Sequence, residues 1–485
     1  MNAGRQAGGV NGNDDGQASA PSDQPIAPLQ PRDARGHQFV VYGDSCSGIA
    51  GAPHEATSAA VNAVVARLRP RPAFVAFLGD EIAGLTTDAE ALRAQWRHWL
   101  DGEMAWLDRR TTPLYHTTGN HTTFDRSSEA IFREVLRLPA NGPPGQVGLS
   151  YAVRRDDLLL VFVNTCWSGL GEGRVETEWL AATLAQHSDA RHRLVCGHHP
   201  VFPVNGFSGP YQRDLEAASG RRFWRLLVEH GVAAYFCSHI LAFDVQVHDG
   251  VLQVLTAGAG TKHRMPEGIE YLHALQVALD DAGLRYQVLD ERGHCREWLA
   301  WPPRLPPADT WTSLAPGISP APALEAVREP MVGAPAPVFA WRFAGVCPAE
   351  GGEAQTLLSA WEPGPALASL WIGLQGPECR LTVLLSPEPG RSPHLWSGPG
   401  LEPDRPFDLQ VAIHVGMGPG GVLWRANDAA PWSSLAAASP WGAERLRPSS
   451  HWSVGHDKRG GADKPFRGQG LSGAWHAGVE ELGYG

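Results

Sequence analysis

Five short apolar runs punctuate the first half of the chain, and each stops at a small residue followed by a side chain able to hold a metal. Phe39-Val40-Val41-Tyr42-Gly43 leads to Asp44, residues 73–79 lead to Asp80, and residues 112–119 lead to Asn120 and His121. Residues 193–197 lead to His198 and His199, and residues 233–238 lead to His239. Runs this short, rich in β-branched and aromatic residues, read as strands buried on both faces, as in a parallel sheet. Between them, residues 55–68, 89–107, 128–138, 176–186 and 222–230 carry apolar positions at helical spacing. The intervals from Asp44 to Asp80, Asn120, His198 and His239 are 36, 40, 78 and 41 residues. One strand-helix-strand unit fits each step, the long one adding a hairpin over residues 149–165. All five candidates are therefore expected on one sheet edge, at the carboxyl ends of the strands, where α/β proteins bind ligands.

After His239 the period changes to two. Residues 243–247, 251–255, 274–279 and 284–289 alternate, with turns at Asp249-Gly250 and Asp281-Ala282-Gly283. This pattern predicts a second, largely antiparallel sheet packed on the first. A Pro/Ala-rich stretch over 303–337 reads as a linker. From 338 onward short alternating strands, such as Phe407, Leu409, Val411 and Ile413 with polar or small residues between, predict an all-β sandwich. The expected organisation is a disordered tail over 1–36, an α/β domain over 37–302, the linker, and a sandwich over 338–485. Trp371, Trp396, Trp424 and Trp432 suit either the core of that sandwich or a platform for a sugar.

Composition narrows the function. A formal charge of -11 and the lack of a basic run argue against binding a nucleic-acid backbone. Seven cysteines, three of them (Cys46, Cys196, Cys237) beside the candidate site, read as reduced thiols of a cytoplasmic protein rather than a disulfide framework. The first 36 residues lack the apolar core of a secretion signal, and no stretch has the length and apolarity of a membrane span.

Gly43-Asp44, Gly79-Asp80, Gly119-Asn120-His121, Gly197-His198-His199-Pro200 and Ser238-His239, in this order, resemble the motif blocks of the calcineurin-like metallophosphoesterase superfamily. The likeness covers about residues 37–302 and implies a four-layer αββα sandwich. The end of the chain more loosely resembles a laminin-G or concanavalin-like jelly roll, a lectin-like domain with a carbohydrate or protein ligand. By resemblance, Asp80 bridges two divalent transition metals (Fe, Mn or Zn), Asn120, His198 and His239 complete one site, and Asp44 belongs to the other. His121 would protonate the leaving group of a phosphate mono- or diester. The first site departs from the pattern: Cys46 and Leu241 stand where the family has histidines, and Thr122 stands where a carboxylate normally orients His121. Thiolate is a ligand for zinc or iron, whereas leucine ligates nothing. The resemblance thus implies a phosphatase or phosphodiesterase with one complete metal site, or a non-catalytic binding protein whose recognition lies in the sandwich.

Limited proteolysis is expected to cut within the 303–337 stretch and release a fragment of about residues 36–303 that retains the metal. Resistance there, with the two halves melting as one, would make the sandwich part of the site.

Overall fold

In a computed structural model the chain is described over residues 25–26, 28–167, 173–203, 215–261, 271–302, 311–314, 317–319, 336–361, 369–386, 394–414, 421–427, 432–435, 451–457 and 464–480. The first part of the chain runs β1 (His37–Tyr42), α1 (Pro53–Ala66), β2 (Val75–Phe77), α2 (Ala89–His98), β3 (Leu114–His116), α3 (Arg126–Leu136), β4 (Tyr151–Arg155), β5 (Leu158–Phe162) and α4 (Thr177–Gln186). It continues with β6 (His192–Cys196), α5 (Ala217–Glu229), β7 (Ala234–Cys237), β8 (Phe243–His248), β9 (Val251–Thr256), β10 (His273–Asp280), β11 (Gly283–Asp290) and β12 (Cys295–Trp301).

These strands form two six-stranded mixed sheets, ordered β12-β11-β10-β1-β2-β3 and β4-β5-β6-β7-β9-β8. Strands β1, β2 and β3 are parallel, as are β5, β6, β7 and β9. Both faces of each central strand are buried, by different partners. In β1, Phe39 and Val41 face a core between the sheets while Val40 and Tyr42 face the valines of α1; in β5, Leu158 and Leu160 face the inner core while Leu159 and Val161 face α4 and α5. Helices α1, α2 and α3 cover one sheet and α4 and α5 the other, which makes four layers, αββα.

The expectation of one motif-bearing sheet with a second antiparallel sheet against it is corrected by this topology. The five motif strands divide between two sheets, and the later strands divide too, β8 and β9 extending one and β10 to β12 the other. Alternation reports which faces are buried, not which sheet a strand joins. The amino-terminal boundary also moves. Ile26 and Leu29 lie in the core under α1. Buried Gln276 of β10 holds Leu29, accepting from its N–H at 2.8 Å and donating to its carbonyl at 3.1 Å. The predicted helix over 89–107 ends sooner, at His98, and widens into a π-helical turn over Trp99–Glu103.

The carboxyl-terminal strands form two further six-stranded antiparallel sheets around one core, with Trp341, Phe343, Leu409 and Val411 from one sheet and Leu358, Ile372, Leu381 and Val383 from the other. The all-β sandwich is as expected, but the linker is shorter than 303–337. Residues 312–314 pair with 473–475, and 317–319 pair with 452–454, so this stretch supplies a strand to each sheet. The rest of the supposed linker, 303–310, 315–316 and 320–335, lies outside the described residues. Trp424 is wholly buried and Trp371 nearly so, its indole donating to Thr356 Oγ1 at 2.9 Å, so neither forms a sugar platform. The side chains of Trp396 and Trp432 lie outside the described residues. Among the described residues, no helix is long and apolar enough to cross a membrane.

Asp244 of β8 carries a testable cost of burial. Its carboxyl is pushed up to about 6 by desolvation, against one hydrogen bond from Gln246. A folded-state value above the unfolded one means that the native protein holds the proton more tightly. Stability from this group is full below about pH 4 and is lost as pH rises through about 6. Asp244→Asn is expected to raise the unfolding free energy by up to about 3 kcal/mol at pH 8 and to change it little at pH 4, read from urea melts at both values.

Candidate metal centre

The carboxyl ends of β1, β2 and β3 in one sheet and of β6 and β7 in the other meet at one end of the sandwich. His198, just beyond β6, donates from Nδ1 to the Leu78 carbonyl beyond β2 at 2.8 Å. That bond fixes the tautomer and turns Nε2 toward the first sheet's loops. There, Nε2 lies 3.1 Å from Asn120 Oδ1, 3.2 Å from His239 Nδ1 and 3.3 Å from Asp80 Oδ2. Ligand atoms about 2.0–2.1 Å from a shared tetrahedral centre are about 3.3–3.4 Å apart. An amide oxygen, a carboxylate and two imidazoles thus converge as a borderline divalent ion requires.

A second set of potential ligand atoms, from Cys46, Asp80 and His121, lies within 4.8 Å of one another, and Asp80 belongs to both sets. The structure brings together Asp80, Asn120, His198 and His239, and it gathers Cys46 and His121 around the same Asp80 as a second set. Asp44 lies beside both sets: its Oδ2 accepts from the Ser238 hydroxyl and from the His239 N–H (2.8 Å), so this carboxylate staples the β1 loop to the β7 loop. Leu241 packs against the core beneath α4 and α5.

Burial opposes ionisation of Asp80, but His198 with His121 and His239 outweighs it and holds the carboxyl below its usual range. Burial likewise opposes charge on His198, yet Asp80 and Asp44 push it up to about 9. Asp44, buried and close to Asp80, rises to about 6 despite its hydrogen bonds. Desolvation raises the Cys46 thiol, and Asp80 and Asp44 add to the effect.

His121 is fixed without a carboxylate. Its Nδ1 donates to the Ala83 carbonyl at 2.8 Å and its backbone N–H to Asp80 Oδ1 at 2.8 Å, leaving Nε2 to exchange protons or bind a metal. Thr122 instead closes its own turn, its hydroxyl 3.0 Å from the Gly119 N–H. The carboxylates and histidines near this position have other partners. Glu81 pairs with His116 at 2.8 Å, Asp125 caps α3 through Ser128, and His54 Nδ1 donates to the Cys46 carbonyl at 3.1 Å. His199 sits 2.9 Å from Thr165 Oγ1 with its ring 4.5 Å from that of His239, a packing support for that ligand which no spacing rule signals. A carbonyl that orients a ring, as Ala83 does, is invisible in sequence because every residue has one.

No family model matches the chain, and no curated protein matches it. Among solved structures, a purple acid phosphatase, PPD1, from yellow lupin (Lupinus luteus) seeds superposes at 12% identity with a TM-score of 0.40, covering 55% of this chain and 54% of that one. GAP50, the anchor in the inner membrane complex of Plasmodium, superposes at 12% identity and TM-score 0.39 over 55% of this chain and 88% of that one. A CBM40 module of a Ruminococcus gnavus sialidase bound to α2,3-sialyllactose covers 34% of this chain and 90% of the module at 14% identity and TM-score 0.24. The chain thus spans about half the length of the lupin phosphatase. Superpositions this loose carry nothing about activity, and the fold is defined here by its own sheets and cores.

Gly119 shows why the motif needs glycine. A Cβ there would stand 2.2 Å from Asp80 Oδ1 and 2.4 Å from its backbone nitrogen. Gly119→Ala is expected to displace Asp80 and weaken Zn²⁺ or Mn²⁺ binding at least about tenfold while the far-ultraviolet circular dichroism persists. Unchanged affinity in a calorimetric titration would place Asp80 outside the centre.

Proposed function

We propose that the chain is a metal-dependent hydrolase of phosphate mono- or diesters, acting at the end of the αββα sandwich. The carrying observation is the convergence of Asp80, Asn120 and His239 on His198 Nε2, a set of lone pairs that only a proton or a metal reconciles. A divalent ion held by these four residues would polarise a phosphoryl oxygen and make water at the site more acidic. The remaining steps belong to the chain. Asp80 offsets the positive charge and, through Oδ1, holds the His121 loop in place. His121, its Nδ1 committed to Ala83, presents Nε2 as the position that gives a proton to the departing oxygen. The buried thiols of Cys46 and Cys196 support a reducing compartment such as the cytoplasm.

The alternative is a metal-stabilised binding protein. Cys46 and Leu241, the latter packed against the core, favour it, because the half of the site that normally completes a two-metal centre is altered.

Elemental analysis of the purified chain is expected to find close to one transition-metal ion per chain. Two tightly held ions would mean that Cys46 and His121 supply a second position. Asp80→Asn should abolish metal retention and turnover together. His121→Ala should keep the metal and slow hydrolysis of an alkyl ester by roughly two to four orders of magnitude, with a smaller loss on a nitrophenyl ester, whose leaving group needs little protonation. If the wild type hydrolyses neither ester with any divalent metal, the binding-protein reading replaces this one.

A further inference from the structure

Five large apolar side chains are exposed among the described residues, and three of them, Ile49 (44%), Leu85 (43%) and Trp167 (47%), stand on loops built against the His121 segment. The Leu85 N–H donates to the His121 carbonyl at 3.1 Å. Gly84 and Leu85 are both left-handed, with φ of 53° and 50°, a conformation that costs a leucine energy. The fold accepts that cost and leaves the side chain facing solvent. Ile49 emerges from a loop laddered to the same stretch, Ser47 accepting from the Ala83 N–H at 2.8 Å and Gly48 anchored on Glu103 at 2.7 Å. Trp167 follows Cys166, whose N–H bonds Asn164 Oδ1 at 2.9 Å, the same oxygen that receives the Thr118 hydroxyl at 2.8 Å. The Leu85 loop therefore touches His121, the Trp167 loop reaches Thr118 through Asn164, and the Ile49 loop touches Ala83, two residues before Leu85. Scattered exposed apolar residues are ordinary, but three around one polar centre mark a binding rim.

We propose that the phosphoester handled at this centre carries an apolar leaving group, aryl or bulky alkyl, which Trp167, Leu85 and Ile49 cover on the His121 side. The inference rests on the hydrolase reading for the chemistry but on the rim alone for recognition. His121 then serves the oxygen whose carbon substituent the rim holds, and this matches proton delivery to an alcohol that is a poor leaving group.

Ethyl and 2-phenylethyl phosphates, as monoesters and as methyl diesters, have similar leaving alcohols and differ in apolar area; the matching phosphonates report binding without turnover. On the full chain loaded with its preferred metal, the phenylethyl compounds should show kcat/KM higher, and phosphonate Kd lower, by about tenfold or more. Trp167→Ala should erase most of that preference while leaving the ethyl compounds unchanged. Leu85→Asn, which suits the left-handed backbone, should reduce it further. Equal handling of the two sizes, equal losses on both in Trp167→Ala, or no binding of either phosphonate overturns the proposal. Hydrolysis of both esters at equal kcat/KM overturns it and leaves the hydrolase reading standing. Discrimination in phosphonate binding with no hydrolysis of either ester does the reverse.

Discussion

One hydrogen bond across the sandwich, from His198 Nδ1 to the Leu78 carbonyl, settles more of this structure than its length of 2.8 Å suggests. It joins the end of β6 in one sheet to the end of β2 in the other, and it decides which imidazole nitrogen is left for chemistry. With Nδ1 spent on a carbonyl, Nε2 can only face Asp80, Asn120 and His239. The same contact explains a motif glycine. A Cβ on Gly79 would reach within 2.9 Å of that imidazole nitrogen and within 2.5 Å of the Thr118 carbonyl, so the strand can approach the ring only if residue 79 has none. Two sheets that share an apolar core could slide against each other. A donor-acceptor pair of this kind admits one alignment, and the four side chains converge only in that alignment.

Holding such a set together costs backbone energy. Asp44, Cys46, Asp80 and His239 all have left-handed φ, of 64°, 42°, 54° and 72°. Glycine would relieve each of them, but each side chain is needed, so the strain of about 1–3 kcal/mol per residue has to be offset elsewhere. The offsetting contacts are visible. The Asp44 N–H donates to the Gly79 carbonyl (3.1 Å), the Cys46 N–H to the Asp80 carbonyl (2.7 Å), and the Thr261 N–H to the Asp44 carbonyl (3.0 Å). Asp44 in turn accepts from Ser238 and His239. The network ties β1, β2 and β7 together, with Asp44 at its centre.

Strand ends, layer count and four of the converging residues were legible in the amino-acid order, because a buried strand ending in glycine and a ligand-type side chain leaves few other readings. Sheet membership was not. Val40 and Phe39 alternate between two cores, and alternation looks the same whichever sheet lies opposite. Nor did composition reveal that Ile26 and Leu29 leave a polar leader to cover α1 and Gln276, since two apolar residues among many polar ones have no period. The hydrogen-bond partners of Asp44 come from a loop almost two hundred residues later, a distance over which spacing arguments carry no information.

The two sides of Asp80 differ in what they offer an incoming ion, and this difference bears on why one half of the site could change without loss of the other. On the His198 side, the donors are held in place by a carbonyl, a turn and a packed imidazole, and an ion there would displace the proton that Asp80 and Asp44 favour on His198. On the Cys46 side, the donor is a thiol that burial and two carboxylates keep protonated. Any cation that bound there would first have to displace that proton, beside His121, whose Nδ1 is committed to the Ala83 carbonyl. Leu241, half-buried against the core beneath α4 and α5, offers no donor to either side.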